Sequence, residues 1–312
     1  GVDVFFVISG FVMCHVAADA FGRPGAAVEF LRRRLVRVAP LYWVFTGLAV
    51  ATALGLPGRV EHDEVGLGHV AASLAFLPWR APSGLVVPPL SVGWTLNFEM
   101  LFYAVFAVGL LFRRTVGLAV IVAILAVLAL PRLVAPEAIG VQVGFWGFRI
   151  TFEFLYGIAL ARLFTAGLRL GGLARLGLAV AAVAALVAGK AAGFDGFHDR
   201  WIFWGVPAAM IVAAVVLGPD LPQGRWSRLL VLGGDASYAL YLSHLFTLRG
   251  LGLVWSAARL GSVGGYVATA VVASVVVAVV VHLGFEKPLL ARLRRRASAT
   301  VPATIARPGV SE

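Results

Sequence analysis

Long apolar runs, broken by short stretches that carry arginine, dominate the hydropathy pattern of this 312-residue chain. Nine runs can be marked, at about residues 1–19, 38–56, 91–112, 116–130, 145–164, 173–189, 201–217, 229–255 and 263–284. A helix needs about 20 apolar residues to cross the hydrocarbon of a bilayer, and the runs approach that length. The alternating pattern of barrel strands is absent from them. The pattern predicts an all-α, polytopic transmembrane helix bundle of about nine spans.

The polar residues between the runs set its orientation. Arg32, Arg33, Arg34 and Arg37 follow the first run, Arg113 and Arg114 the third, and Arg162, Arg169 and Arg175 surround the end of the fifth. Arg225 and Arg228 follow the seventh, and Arg292 to Arg296 the ninth. The alternate loops carry Glu61, Asp63 and Glu64, then residues 131–137, then residues 195–200. Every arginine-rich loop thus falls on one face, which the positive-inside rule assigns to the cytoplasm. Gly1 is then outside and the C-terminus inside.

Residues 57–90 are too long and too rich in proline for a tight turn. The apolar piece at 65–77 is too short to span, and a crossing there would reverse every later arginine loop, so a re-entrant or interfacial segment on the outer side is expected. Pro78, Pro82, Pro88 and Pro89 mark an irregular loop. Such backbone is tolerated in membrane proteins where it is buried or lines a cavity, which makes the loop a candidate entrance. The runs at 173–189 and 263–284 carry little polar chemistry and read as scaffold, their small residues allowing close packing. Residues 1–290 form the transmembrane domain, and residues 291–312 a basic, disordered cytoplasmic tail.

Composition agrees. The chain is 61% hydrophobic and 13% charged, with a mean hydropathy of +0.94, whereas about a quarter of a soluble domain is charged. In a soluble protein a net charge of +11 would suggest nucleic acid; here the arginines lie in inter-helix loops and the tail, so the partner is the lipid bilayer and no nucleic acid is implied. Cys14 is the single cysteine, which rules out an internal disulfide and a thiolate metal site and suits a small buried hydrophobe. The chain opens at Gly1 inside an apolar run with no charged segment before it, and reads as a fragment rather than a signal peptide.

An ionisable group inside a membrane costs about 2.5–3.5 kcal/mol on insertion scales, so each needs a partner or a task. Asp3 either snorkels to the interface, caps its helix or has a function. Thr95, Glu99 and Tyr103 recur at i, i+4 and i+8 as one polar stripe on an aromatic helix, either an interhelical hydrogen-bond set or a functional one. Arg149 and Glu153, four apart, can neutralise one another. Ser237, Tyr241 and His244 line up beyond Asp235, while His282 and Glu286 stand near the last helix end. His15, His62, His69 and His198 have no evident partners. No metal-ligand spacing, phosphate-cradling glycine loop or nucleophile elbow occurs. Spacing alone reaches a polar-lined membrane cavity.

Six stretches together resemble the acyltransferase-3 family of membrane acyltransferases: GVDVFFVISGF at 1–11, Arg34-Leu35-Val36-Arg37 with Pro40, WTLNFEM at 94–100, EFLYG at 153–157, LGGDASY at 232–238 running into YLSH at 241–244, and Glu286-Lys287-Pro288. They follow the family's order over nearly the whole chain, and the WTLNFEM version is most similar to the branch that O-acetylates bacterial exopolysaccharides. The resemblance implies transfer of an acetyl or other short acyl group from acetyl-CoA, the donor co-substrate, to a carbohydrate hydroxyl in the bacterial inner membrane. Its catalytic set here would be Asp3, Glu99 and His244. Arg34 and Arg37 match the family's Arg-x-x-Arg and would hold the coenzyme A phosphates, which guanidinium forks suit. Asn97, Tyr103, Arg149, Glu153 and Tyr241 would line the substrate cavity, and no metal is implied.

The family pattern has ten spans, so one more helix is expected before Gly1, in agreement with nine spans that begin outside. The family's base histidine lies on that helix, where Asp3 would orient it, and none of the histidines here takes its place by motif; a fragment limited to these residues is expected to be inactive. The alternative reading is a glycan-lipid transporter or flippase, although no convincing internal repeat of the kind found in transporters is seen. A purely structural subunit would explain the spans but not the arginine pair or the buried carboxylates.

Overall fold

Helices build the described chain. The computed structural model describes residues 1–55, 65–134, 140–194, 196, 198–219, 224–259 and 261–299. Glu61, His62, Asp63, Glu64, Glu137, Asp195 and residues 300–312 lie outside them. The chain divides into two compact units, Gly1–Arg34 with Thr46–Pro222, and Leu35–Phe45 with Gln223–Glu312.

The first unit contains α1 (Val2–Val16), both ends of α2 (Ala26–Gly55), α3 (Leu67–Leu74), α4 (Trp94–Leu110), α5 (Arg114–Val134), α6 (Val141–Trp146), α7 (Phe152–Thr165), α8 (Gly172–Ala191), α9 (Arg200–Phe203) and α10 (Gly205–Val216). The second contains the middle of α2 with α11 (Arg225–Asp235), α12 (Ser237–Ala257), α13 (Val263–Val281), a π-helical turn over His282–Glu286, and α14 (Lys287–Ala299).

The all-α bundle is as expected, but the helices are less uniform than nine even spans. Among the described residues, five are long and apolar enough to cross a membrane, or six if α11 and α12, bent by 65° at their junction, count as one. The run at 145–164 is broken into α6, a 3-10 turn at Arg149–Thr151, and a 14-residue α7. α1 and α10 have only 15 and 12 residues. α2 starts at Ala26 rather than near residue 38, so its arginines ride on helix, and it continues through Pro40. A proline inside a membrane helix is tolerated where neighbours re-satisfy the freed backbone. α14 carries residues 291–299 of the expected tail as helix.

The 8-residue α3 is about 12 Å long at 1.5 Å per residue, well short of a hydrocarbon layer of roughly 30 Å. The proline-rich loop after it is fastened rather than loose. Arg80 and Val86 form an isolated antiparallel bridge around a turn in which Gly84 has a φ of 84°. Buried His69 donates from Nε2 to the Val87 carbonyl at 2.7 Å, and Gln142 donates from Nε2 to the Pro78 carbonyl at 3.2 Å. These donors satisfy carbonyls that an irregular loop would otherwise bury unpaired.

α1 is the centre of the first unit and packs on α4, α7 and α10. Two glycines let α1 and α7 meet backbone to backbone: a Cβ at Gly10 would lie 2.1 Å from the Phe154 carbonyl oxygen, and one at Gly157 would lie 2.0 Å from the Val7 oxygen. Small residues allow such approach in membrane bundles. Around this seam Phe6, Phe98, Phe102, Phe106 and Phe154 are fully buried; the Phe102 and Phe154 rings stack at 4.1 Å, and Phe6 meets Phe154 at 4.8 Å. By contrast Leu176, Val180, Val183 and Val187 of α8 and Val267, Val271 and Val275 of α13 are exposed, as acyl chains would require of the expected scaffold helices.

The loops of the first unit gather as their charges predict. At one end Gly22 N–H donates to the Leu110 carbonyl, which joins the segments carrying Arg23 and Arg113, and Leu170 N–H donates to the Leu217 carbonyl, which ties the segment of Arg169 to the end of α10. At the other, Arg200 meets Asp3 and the Tyr156 hydroxyl donates to the Trp201 carbonyl at 3.2 Å.

Gly157→Leu should wedge α1 from α7 and lower stability by about 1–3 kcal/mol or more, the usual cost of overpacking. Gly177→Leu on α8, where an added Cβ meets nothing within 4 Å, should leave it unchanged. Thermal unfolding in detergent compares the two, and equal Tm values would refute the backbone seam.

Candidate active site

Three buried polar assemblies emerge, two in the first unit and one in the second. The first is built on Glu99, which α4 carries into the aromatic core. Ser9 of α1 donates from Oγ to Glu99 Oε1 at 2.8 Å, and the Tyr103 hydroxyl, one turn further along α4, donates to the same oxygen. Glu99 Oε2 is buried without a hydrogen-bond partner among the described residues. The Arg34 guanidinium lies over the Phe30 ring at 5.5 Å, and that ring in turn packs edge-on against Tyr103 at 6.0 Å. The stripe seen in the sequence is thus one site with a partner from α1. Ser9 was missed, although it lies within VISGF; nothing in its local spacing says which helix it faces.

Asp3 and Arg200 form the second assembly. Arg200 donates from Nε to Asp3 Oδ1 at 2.7 Å and from Nη2 to Oδ2 at 2.8 Å, a bidentate fork. The Asp3 side chain is 4% exposed and that of Arg200 24%, so Asp3 is held in the protein rather than snorkelling to water. Glu153 lies near it, fully buried, its two carboxyl oxygens without hydrogen-bond partners among the described residues. A Cβ at Gly205 would stand 2.9 Å from Glu153 Cγ, so that glycine leaves the carboxyl its room. The expected Arg149–Glu153 pair does not form. The 3-10 turn at Arg149–Thr151 removes the i, i+4 relation, and Arg149 instead faces Asp199 at 3.9 Å. Arg200 was read only as loop charge; a buried aspartate without a local partner is the signal that a distant cation was required.

In the second unit Arg37 pairs through Nη1 with Glu286, reaches the Asp235 carbonyl from Nη2 at 3.5 Å, and lies 5.9 Å from the Tyr238 ring centre. The other Glu286 oxygen accepts from His282 Nδ1 at 2.7 Å, and both residues are buried. They belong to the π turn; such turns occur often at functional sites because the extra residue re-aims side chains. Arg34 and Arg37, three apart on α2, therefore serve different assemblies.

The remaining residues are more dispersed. His244 donates from Nδ1 to the Tyr241 carbonyl at 2.8 Å and lies within 3.2 Å of the Leu240 carbonyl; a carbonyl can only accept, so Nε2 is the accepting nitrogen of the neutral ring. The Tyr241 ring lies 6.1 Å from it, but Ser237 is exposed and turned back to the Gly234 carbonyl, so the three-residue stripe is reduced to two. The Asn97 carbonyl accepts from Trp146 Nε1 at 3.2 Å, while its Oδ1 is buried without a partner among the described residues. No group of three or more His, Cys, Asp or Glu that could hold a metal ion occurs among the described residues.

Comparison with known proteins puts this geometry in a family context. Residues 1–283 match a family model described as an acyltransferase domain. The exopolysaccharide production protein ExoZ of Rhizobium meliloti is 36% identical over 298 residues, which cover 95% of this chain and 90% of that protein. The acyltransferase MdmB of Streptomyces mycarofaciens is 26% identical over 343 residues, covering 96% of this chain and 83% of that protein. No solved structure matches significantly.

Removing one partner of a buried ion pair costs about 3–5 kcal/mol, less where one group reaches water, as Arg200 does. Asp3→Ala should therefore destabilise the protein by up to about 3 kcal/mol, and adding Arg200→Ala should recover part of the loss. A double-mutant cycle on thermal unfolding measures this; strictly additive effects would mean that the fork does no work.

Proposed function

The chain belongs to the acyltransferase-3 family of membrane acyltransferases, and on that premise we propose that it moves an acetyl or other short acyl group from acyl-CoA to a hydroxyl of a cell-surface or exported polysaccharide. Its setting in this reading is the bacterial inner membrane, with the C-terminus in the cytoplasm, as the arginine-rich loops favour. The observation that carries the reading is the buried Ser9–Glu99–Tyr103 set, against whose tyrosine the Phe30 ring packs beneath Arg34. It unites two of the stretches on which the resemblance rests, and the Phe30 ring links an arginine of the third to them. The printed name of the Rhizobium relative, an exopolysaccharide production protein, supports a polysaccharide acceptor.

Arg34 and Arg37 fit the donor chemically. Both are half-buried on one helix, next to the exposed Arg32 and Arg33, and guanidinium forks suit phosphate oxygens. Bound acyl-CoA would supply the activated thioester. The acceptor hydroxyl attacks the thioester carbonyl carbon, a C–O bond replaces the C–S bond, and the hydroxyl proton passes to a base and from it to the departing thiolate, so that coenzyme A is released as the thiol. Asp3 and Glu99 are the carboxyls of the set, Asp3 oriented by Arg200 and Glu99 by Ser9 and Tyr103. Asn97, Tyr103, Arg149, Glu153 and Tyr241 would contact the sugar.

Membranes holding the full-length protein, given acetyl-CoA labelled in the acetyl group, should pass label into polysaccharide. Arg37→Ala should lower that transfer by about tenfold or more, since hydrogen bonds to charged groups contribute about 1.5–3 kcal/mol, and Arg37→Lys should restore part of it. Absence of label with the unaltered protein, or full transfer by both Arg34→Ala and Arg37→Ala, would overturn the assignment.

A further inference from the structure

A cavity of about 560 Å³ in the first unit, bounded by the proline-rich loop and α6, is lined by two guanidiniums, Arg80 and Arg132, and by no carboxylate among its described lining residues. Its size falls in the range of small-molecule sites, about 300–1,000 Å³. Trp94, Phe145 and Phe148 supply its aromatic surface. From these features we infer that the cavity is the acceptor site and that it selects a sugar bearing a carboxylate, an inference that rests on the acyl-transfer reading above.

Two like charges lining one concave space repel each other, and an anion between them relieves that cost. Both are held in place. Arg132 donates from Nη1 to the Gly144 carbonyl at 2.6 Å and lies 3.6 Å from the Phe148 ring centre. Arg80 donates from Nη1 to the Gly84 carbonyl at 3.2 Å and belongs to the bridge with Val86. A guanidinium has five N–H donors, so each keeps donors beyond the one used on its anchoring carbonyl. A carboxylate matches the guanidinium fork, and the C–H face of a pyranose ring suits the aromatic wall. Pinned walls reduce the ordering cost of binding. A neutral glycan would use the rings and leave both charges unanswered.

The test is calorimetric titration of the purified whole chain in detergent with cellobiouronic acid, which carries a glucuronate, and with neutral cellobiose. The acidic disaccharide should bind about tenfold tighter or more, as charge-assisted hydrogen bonds predict. Arg132→Gln should bring the two affinities together, and Arg80→Gln, at an exposed position that can be changed with less risk to folding, should narrow the gap in the same direction. Equal binding of the two sugars by the unaltered protein, or an acid preference that survives both substitutions, overturns the inference. So does loss of sugar binding in nanodiscs containing phosphatidylglycerol but not in neutral ones, which would assign the arginines to lipid. If the acidic sugar binds selectively but no acyl group is ever transferred to it, the site stands and the reaction fails. If transfer occurs without regard to acidity, the reaction stands and this inference fails.

Discussion

The close contact between α1 and α7 is the constraint on which the rest of the first unit depends. Gly10 and Gly157 bring the two backbones so near that a Cβ on either would overlap a carbonyl oxygen. That approach fixes the register of α1, and with it the depth of Ser9 and Asp3. Ser9 then reaches Glu99, and Asp3 reaches Arg200. The aromatic rings around the seam fill space that tolerates little change in volume, so the polar residues meet their partners in one arrangement.

Buried charge is the second organising cost. Carboxylates inside a membrane bundle are expensive unless paired or hydrogen-bonded, and each one here is treated differently. Asp3 takes a bidentate fork, Glu99 takes two hydroxyl donors, Glu286 takes an arginine and a histidine, and Glu153 stands in a space kept open by Gly205. Such spending of stability is expected where a protein performs chemistry. The two arginines of α2 divide along the same line: Arg34 lies over the Phe30 ring that packs on Tyr103, while Arg37 is engaged by Glu286.

The helical class, the membrane setting and the grouping of loops were legible in the sequence because apolar length and arginine placement are local quantities. In the first unit, segments assigned to one face do meet: Gly22 binds Leu110, and Arg200 binds Asp3. The Glu99–Tyr103 stripe was legible for the same reason, since i, i+4 neighbours share a helix face. Arg149 and Glu153 failed that rule because a 3-10 turn interrupts the helix between them, and hydropathy does not register such a turn. The break of the 145–164 run into α6, a 3-10 turn and α7 was invisible for a related reason, as short and broken helices have the same composition as long ones.

By itself, the sequence determined that this chain is a helical membrane protein of the acyltransferase family and which residues are costly to bury. Those properties follow from the free energy of single segments in lipid and from motifs in fixed order. Only the tertiary structure decided that Ser9 serves Glu99, that Arg200 serves Asp3, that His282 joins Arg37 through Glu286, and that Arg80 and Arg132 line one cavity. Apart from His282 and Glu286, four apart on one turn, these partners are 52 to 249 positions apart where two chain segments meet, and their union rests on packing geometry, which no local pattern encodes.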